Sequence, residues 1–226
     1  NRRIQENLQG RTCNDEGGNI MDTRVNLSGL ELDNPIIPAS GTFGFGYEFA
    51  ELYDINMLGT FSFKGTTKDK RFGNPTPRIA ECPMGMINAV GLQNPGVEKV
   101  ISEELPKLAK CFSKKVMANV SGFSVEDYAY TCEKLDKCDQ VGWLEVNVSC
   151  PNVHGGGMSF GTSPEAIRQL TDIIERDRNH PSIFIWSLGN EEHSAQNLQR
   201  GAELVKKVTY IAKSLDPTRP VTYGGN

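Results

Sequence analysis

The sequence predicts an α/β fold, a parallel (β/α) barrel of the TIM type that is incomplete because only about six strands can be found. Short apolar runs rich in branched residues alternate with amphipathic helical stretches from Met21 onward, and such alternation indicates parallel βαβ units. No Gly-rich dinucleotide fingerprint follows the first predicted strand. Polar residues cluster just past the predicted strand ends, which is where barrels of this class keep their chemistry.

The predicted elements of the first half begin after a charged, aperiodic stretch. Ser124 is a plausible N-cap for the second helix, because its hydroxyl can accept a hydrogen bond from the first helical turn. The expected order is strand Asn34–Ala39, strand Leu58–Lys64, helix Val97–Cys111, strand Val116–Val120 and helix Val125–Lys137.

The second half continues the same alternation. Ser163 and Pro164 suit the cap and the first turn of a helix that runs to about Asp177. The expected order is strand Leu144–Val148, that helix, strand Ser182–Leu188, helix Gln196–Leu215 and strand Pro220–Tyr223.

Composition excludes several classes of protein. The chain has 226 residues, a net charge of −4 and no basic block, so a dedicated nucleic-acid binder is not expected. No apolar run reaches the roughly 18 residues of a membrane span, and no apolar segment near residue 1 suggests a signal peptide. The six cysteines are irregularly spaced without a CxxC pair, which indicates reduced thiols and a cytoplasmic location. His154, His180 and His193 share no ligand spacing, so no metal site is predicted.

Residues 1–20 differ from the rest in being charged and aperiodic. Glu16–Ile20 can be back-translated as GAA GGA GGA AAT ATT, a purine-rich ribosome-binding sequence upstream of an ATG for Met21. One hypothesis is therefore that residues 1–20 are a translated leader. The alternative is a disordered tail, and the nucleotide sequence distinguishes the two.

The polar groups at the predicted strand ends have ordinary explanations one at a time. A lysine there is usually a solvated charge, an asparagine usually serves a turn, and a lone cysteine is usually a small buried hydrophobe. As a set, amides and one lysine suit an uncharged heterocycle that carries a carboxylate or phosphate. The set comprises Ser40, Lys64, Asn88 to Asn94, Asn119, Asn147 and Cys150.

Five longer motifs occur within residues 21–167. They are NPIIPASGTFGFG (34–46), RFGNPTPR (71–78), GMINAVGLQNPG (85–96), NVSG (119–122) and EVNVSCPNV (145–153). In these motifs and their order the chain resembles class 1 dihydroorotate dehydrogenase, and among its members the catalytic subunit of the NAD-linked class 1B enzyme. The resemblance covers about two thirds of the chain.

The resemblance implies a function and a role for each matching residue. The reaction is oxidation of (S)-dihydroorotate to orotate in pyrimidine biosynthesis, with FMN as cofactor. Cys150 would be the general base at C5. Ser40, Lys64, Gly65, Asn119 and Asn147 would contact FMN, whereas Lys64, Asn88, Ala89, Val90, Gly91, Leu92 and Asn147 would bind orotate. In that family the partner subunit carries FAD and an iron–sulfur cluster, and the catalytic subunit is a homo-oligomer.

The motifs change after residue 167. The later strands of the family, with a second lysine and Gly-rich phosphate loops, are not found in residues 168–226. Ile185–Glu191 and Asp216–Val221 instead resemble family 2 glycoside hydrolases, the β-galactosidase and β-glucuronidase group. That likeness implies that Glu191 is a general acid/base and that Asn190 binds the sugar, although the second carboxylate that retaining hydrolysis needs is not found. An alternative for these two residues is a helix cap.

Three interpretations follow from these two resemblances. The chain is a dihydroorotate dehydrogenase by descent, a glycosidase fragment that cleaves β-galactosides or β-glucuronides, or a catalytically inert fusion of two barrel pieces. A chimera joined near residue 167 predicts that FMN binding is weak, because loop and helix N–H groups supply the phosphate site.

Overall fold

A computed structural model describes residues 22–83, 85–147, 168, 171–172, 175, 183–190, 199–218 and 221–224. The first half contains five short strands and a 3₁₀ turn at Ile55–Met57. In chain order the elements are β1 (Val25–Leu27), β2 (Leu30–Leu32), α1 (Tyr47–Ala50), β3 (Ser62–Thr66), β4 (Ile79–Cys82) and β5 (Gly85–Asn88).

A continuous helical stretch follows the first five strands. It begins as α2 (Val97–Lys99), passes through a π-helical turn (Val100–Glu104) and ends as α3 (Leu105–Leu108). The remaining elements are β6 (Val116–Ser121), α4 (Val125–Asp136), β7 (Val141–Asn147), β8 (Ile183–Asn190), α5 (Gln199–Leu215) and β9 (Val221–Gly224). Arg168, Thr171, Asp172 and Glu175 are also helical.

Five strands form one parallel sheet in the order β3-β6-β7-β8-β9. Each pair is parallel, and helix α4 connects β6 to β7 while α5 connects β8 to β9. Parallel strands joined by helices are the units expected of a (β/α) barrel. The described residues form an open sheet and not a closed barrel.

The predicted strand Asn34–Ala39 is wrong, so the described sheet has five strands where about six were expected. Pro35 and Pro38 have no N–H group and cannot complete a ladder. The segment still lies along the edge of β3, because the carbonyl oxygens of Ile36 and Pro38 accept hydrogen bonds from Gly59 (3.1 Å) and Ser62 (3.0 Å).

Helix α4 forms where the sequence predicted it. The Ser124 hydroxyl accepts a hydrogen bond from the Asp127 N–H over 3.2 Å, as an N-cap does. The predicted helix Val97–Cys111 also exists but ends earlier, at Leu108, and includes the π-helical turn.

The outer face of the sheet packs against the helices and forms the main core. Phe63 of β3, Val120 of β6 and Val146 of β7 are fully buried there. Tyr128 and Leu135 of α4 pack against the same cluster. This packing places the helices on the outer face of the sheet, so the side chains of the inner face need other partners.

The inner face is apolar at its amino end. Met117 and Trp143 lie on neighbouring strands and pack against Leu32 of the β1–β2 hairpin. The Trp143 indole N–H donates to the carbonyl oxygen of Leu27 over 3.1 Å. The hairpin therefore closes this end of the sheet, so the polar residues further along each strand sit above an apolar floor.

Candidate functional site at the carboxyl ends of the strands

Polar side chains line the inner face at the carboxyl ends of three adjacent strands. Residues two apart in a strand point to the same side. The polar side chains therefore follow directly after Met117 and Trp143 of the apolar floor on the same face of the sheet. Asn119 of β6 pairs with Glu145 of β7, and Ser121 pairs with Asn147. We call the group Lys64, Gly65, Asn119, Ser121 and Asn147 the polar edge.

Gly65 lies at the centre of the polar edge. A Cβ atom at this position would lie 2.9 Å from Asn119 Oδ1 and 3.3 Å from both Leu92 Cδ2 and Ser121 Oγ. The strand register shifts between Phe63 and Thr66, which indicates a bulge at Lys64 and Gly65. Glycine is therefore required here by a close approach of three side chains.

The loop before β3 lies beside Lys64. The Lys64 N–H donates to the carbonyl of Gly44 over 2.8 Å. A Cβ on Gly41 would lie 3.9 Å from Lys64 Nζ. Ser40, the residue before Gly41, is thus placed in the turn next to the one lysine of the polar edge.

The loop that carries Leu92 is tied to the end of β3. Leu92 has a φ of 56° and follows Gly91, which has a φ of 75°, and such left-handed backbone is uncommon outside glycine. The Asn94 Nδ2 group donates to the Leu92 carbonyl over 2.8 Å. The same buried amide also donates a hydrogen bond to the hydroxyl of Thr67, directly after β3. One side chain therefore holds the loop against the end of this strand.

The residues before Leu92 lie on the β4–β5 hairpin. Asn88 and Ala89 are exposed, and the Ala89 N–H donates to the Arg78 carbonyl over 2.9 Å. The Asn74 amide supports this stretch by donating to the Ala89 carbonyl over 2.9 Å. Of the orotate-binding residues expected from the sequence, Leu92 reaches Gly65, whereas Asn88 and Ala89 are open to solvent.

The two proposed catalytic residues, Cys150 and Glu191, lie outside the described residues, as do residues 1–20. Four of the other cysteines are described and are free thiols. Burial raises the pKa of the Cys111 and Cys138 thiols, which keeps them protonated and poorly nucleophilic at neutral pH. These two thiols are therefore poor candidates for a catalytic role.

Sequence reasoning did not single out three polar residues of the inner face. Ser62 and Ser121 are buried, and Glu145 is half-buried in β7. The available signal was the period of two in β7, where Trp143, Glu145 and Asn147 share a face. The charged side chain in this mostly apolar strand is Glu145, and a buried charge needs hydrogen-bond partners. Its partners lie on β3 and β6, which the sequence of β7 does not reveal.

The parallel strand–helix units define a TIM-barrel-like α/β fold, and the polar edge is its candidate ligand site at the carboxyl ends of the strands. The dihydroorotate dehydrogenase family matches residues 23–206 of the sequence. The chain belongs to this family.

Three curated relatives are catalytic subunits of dihydroorotate dehydrogenase B (NAD(+)). The chain is 54% identical over 152 residues to that of Fusobacterium nucleatum, covering 67% of this chain and 50% of the relative. The corresponding values are 56% over 152 residues, 67% and 49% for Bacillus cytotoxicus, and 52% over 157 residues, 70% and 50% for Enterococcus faecalis. The chain therefore spans about half the length of these relatives.

Solved structures support the fold independently of sequence. A crystal structure of DHODH from Eimeria tenella in complex with ferulenol has a TM-score of 0.57 at 16% identity, covering 94% of this chain and 64% of that one. A ligand-free structure from the same organism has a TM-score of 0.53 at 16% identity, covering 93% and 66%. This likeness concerns the TIM-barrel-like fold alone.

The second resemblance gains no support from these matches. The family match continues past residue 167 to residue 206, and the relatives described above are all dihydroorotate dehydrogenases. The interpretations of residues 168–226 as a glycoside hydrolase fragment, and of the chain as a chimera, are therefore unsupported.

Among the described residues, no helix has the length and apolar character that crossing a bilayer requires. Within the same part of the chain, no group of three or more His, Cys, Asp or Glu side chains is arranged to hold a metal ion.

Proposed function

We propose that this chain forms part of an FMN-dependent dihydroorotate dehydrogenase of the B type, which oxidises (S)-dihydroorotate to orotate in pyrimidine biosynthesis. The observation that carries the proposal is the convergence of Leu92, Asn119 and Ser121 on Gly65 at the carboxyl end of the sheet. The names of the curated relatives support the reaction. Residues 21–167 would be the N-terminal part of the barrel.

The chemistry of the polar edge suits FMN. A flavin ring presents both N–H and carbonyl groups along its edge, and asparagine amides and a serine hydroxyl can each donate and accept. Gly65 has no side chain, so the polar groups of Asn119 and Ser121 can meet beside it and act together on one ligand. When bound, FMN supplies the acceptor for the hydride that leaves the substrate.

Lys64 and the Leu92 loop would bind the substrate. The lysine is the cation of the polar edge, and it would attract the carboxylate of dihydroorotate. Asn88 to Leu92 and Asn147 would hydrogen-bond the ring amides. Only 2% of Asn119 is exposed, so a neighbouring side chain would have to move before a ligand could contact its amide.

Cys150 would act as the general base. It follows Asn147 by three residues, beyond the carboxyl end of β7, and a barrel keeps its reacting groups at that end. Its thiolate would take the proton from C5 of dihydroorotate as the hydride leaves C6. Pro151 directly after it restricts the backbone of the loop.

The chain would work in the cytoplasm with a second protein. The curated relatives are named as the catalytic subunit of an NAD(+) enzyme, which implies another subunit for electron transfer. We propose that this partner carries FAD and an iron–sulfur cluster, and that the catalytic subunit itself forms a homo-oligomer.

The experiment that tests the proposal has two parts. FMN is titrated into the purified chain, and binding is followed by quenching of flavin fluorescence. Residues 1–167 are then joined to the matching second half of the Bacillus cytotoxicus relative, and dihydroorotate oxidation is measured with an artificial electron acceptor. Orotate formation that depends on FMN supports the proposal, whereas a flavin-loaded hybrid that forms no orotate contradicts it.

A further inference from the structure

We propose that Glu145 is a positioning residue that fixes the amide of Asn119 so that its carbonyl oxygen, and not its NH₂ group, faces Gly65 and the ligand site. The inference deepens the proposed function by giving a role to a charged side chain that the reaction itself does not use. It rests on a polar layer formed by Ser62, Asn119 and Glu145, which we call the carboxylate layer.

The carboxylate layer crosses three adjacent strands. Glu145 Oε2 accepts hydrogen bonds from Ser62 Oγ of β3 over 2.5 Å and from Asn119 Nδ2 of β6 over 2.8 Å. Ser62 is 3% exposed and Asn119 is 2% exposed. Two buried donors on different strands are therefore satisfied by one oxygen, and each would cost free energy if left unpaired.

The charge of Glu145 determines which way the Asn119 amide faces. An ionised carboxylate only accepts hydrogen bonds, so the group opposite it must be the NH₂ side of the amide. The amide oxygen then points the other way. A Cβ on Gly65 would lie 2.9 Å from that oxygen, and Ser121 Oγ lies 3.5 Å from it.

The position of the layer explains why a hydrogen-bond acceptor is placed there. It lies directly above the apolar floor of Met117 and Trp143 and shares Asn119 with the polar edge. Glu145 stands two residues before Asn147 in β7. A side chain without a hydrogen-bond acceptor at 145 would allow the Asn119 amide to rotate by 180° about its terminal bond. The polar edge would then present a donor where it now presents an acceptor, and a ligand N–H or hydroxyl would lose its partner.

The variant that removes this bond at constant volume is Glu145→Met. Glu145→Gln is the conservative rescue, because a carbonyl oxygen in the place of Oε2 can still accept from both Asn119 Nδ2 and Ser62 Oγ. Glu133→Met is the matched control. Glu133 is an exposed residue of α4 whose described ion-pair partner is Lys137, so it removes a carboxylate without touching the sheet.

The first readout does not depend on any ligand. The two Nδ2 protons of Asn119 are observed by NMR in the full chain labelled with ¹⁵N. In the parent chain one proton is expected downfield and slow to exchange, because it is bonded to a carboxylate. Glu145→Met should remove both properties, Glu145→Gln should move the resonance part of the way upfield, and Glu133→Met should change neither. An Asn119 amide that is the same in parent, Glu145→Met and Glu145→Gln overturns the inference.

If Glu145→Met does not fold, Glu145→Gln decides alone. A neutral acceptor forms a weaker hydrogen bond than a carboxylate, so an unshifted Asn119 resonance in that variant again overturns the inference.

The second readout is the affinity for FMN. Glu145→Met should raise the dissociation constant about tenfold, while Glu145→Gln should stay within about threefold of the parent chain. An altered amide with unchanged FMN affinity in Glu145→Met overturns the ligand-directed role. If the parent chain does not bind FMN, the same variants are titrated in the hybrid with the second half of the Bacillus cytotoxicus relative. Failure of that hybrid to bind FMN contradicts the proposed function instead, and the NMR comparison still decides the orientation of Asn119.

Discussion

The side chain of Asn94 is bonded twice to Thr67, the residue that follows β3. Asn94 Nδ2 donates to Thr67 Oγ1 over 2.9 Å, and Asn94 Oδ1 accepts from the Thr67 backbone N–H over 3.2 Å. The same amide also accepts from the Gly96 N–H and donates to the Leu92 carbonyl. One buried side chain thus joins the end of a sheet strand to the loop expected to bind the substrate.

Asn94→Ala should therefore lower the free energy of unfolding by about 3 kcal/mol, because it leaves two backbone N–H groups and one carbonyl without their partner. Urea unfolding followed by circular dichroism measures this loss. Asn26→Ala is the matched control, since Asn26 accepts a single hydrogen bond from Gly29 in the exposed β1–β2 turn, and it should cost less than about 1 kcal/mol. Equal losses in the two variants would contradict the structural role of Asn94.

Gly65→Ala should destabilise the chain by about 1–3 kcal/mol, because the new Cβ would overpack the space beside Asn119 Oδ1. The same variant should weaken FMN binding by displacing the Asn119 amide. Gly85→Ala is the control, since a Cβ there would meet no atom within 4 Å, and it should be neutral or slightly stabilising. Thermal unfolding and flavin titration of both variants test this contrast, which fails if Gly65→Ala behaves like Gly85→Ala.

Asp54 should make stability depend on pH in the acid range. Hydrogen bonds from the side chain and backbone of Asn56 lower the pKa of its carboxyl group below the ordinary value of 3.8. A group whose pKa is lower in the folded state stabilises that state above the unfolded pKa and loses the effect as pH falls through the folded pKa. The parent chain should therefore exceed Asp54→Asn in unfolding free energy at pH 6, and the difference should shrink below about pH 4. A difference that is constant from pH 6 to pH 3 would exclude this contribution.

Cys150→Ala in the hybrid enzyme should lower the rate of dihydroorotate oxidation by about a hundredfold or more, as expected for loss of a general base. FMN should remain bound, because the thiol is proposed to act on the substrate and not on the flavin. Cys82→Ala is the control, since Cys82 lies on the β4–β5 hairpin, and it should leave the rate unchanged. Normal turnover by Cys150→Ala would show that another group is the base.

Lys64→Met in the same hybrid should weaken the binding of both FMN and orotate, because one charge is expected to serve both ligands. Separate titrations of flavin and orotate measure the two effects. Lys137→Met, which removes an exposed charge at the end of α4, should change neither dissociation constant. If Lys64→Met affects only one ligand, the shared role of Lys64 is wrong.

Local patterns were sufficient to predict most of the framework. Val116–Val120 and Ser182–Leu188 were found as strands because branched and apolar runs fit a sheet buried on both faces. The cap at Ser124 was found because its hydrogen bond spans only three residues. The hairpins β1–β2 and β4–β5 were missed, since their strands are three or four residues long and carry little periodic signal.

The sequence by itself determined the family, the alternation of strands and helices, and the residues expected at the carboxyl ends of the strands. Tertiary structure alone decided that Leu92, Asn119 and Ser121 meet at Gly65 and that Glu145 sits between Ser62 and Asn119. These contacts join residues 26 to 83 positions apart in the chain. A pattern within one strand shows which face a side chain takes, but its partner across the sheet depends on strand order and register, which arise only when the sheet assembles.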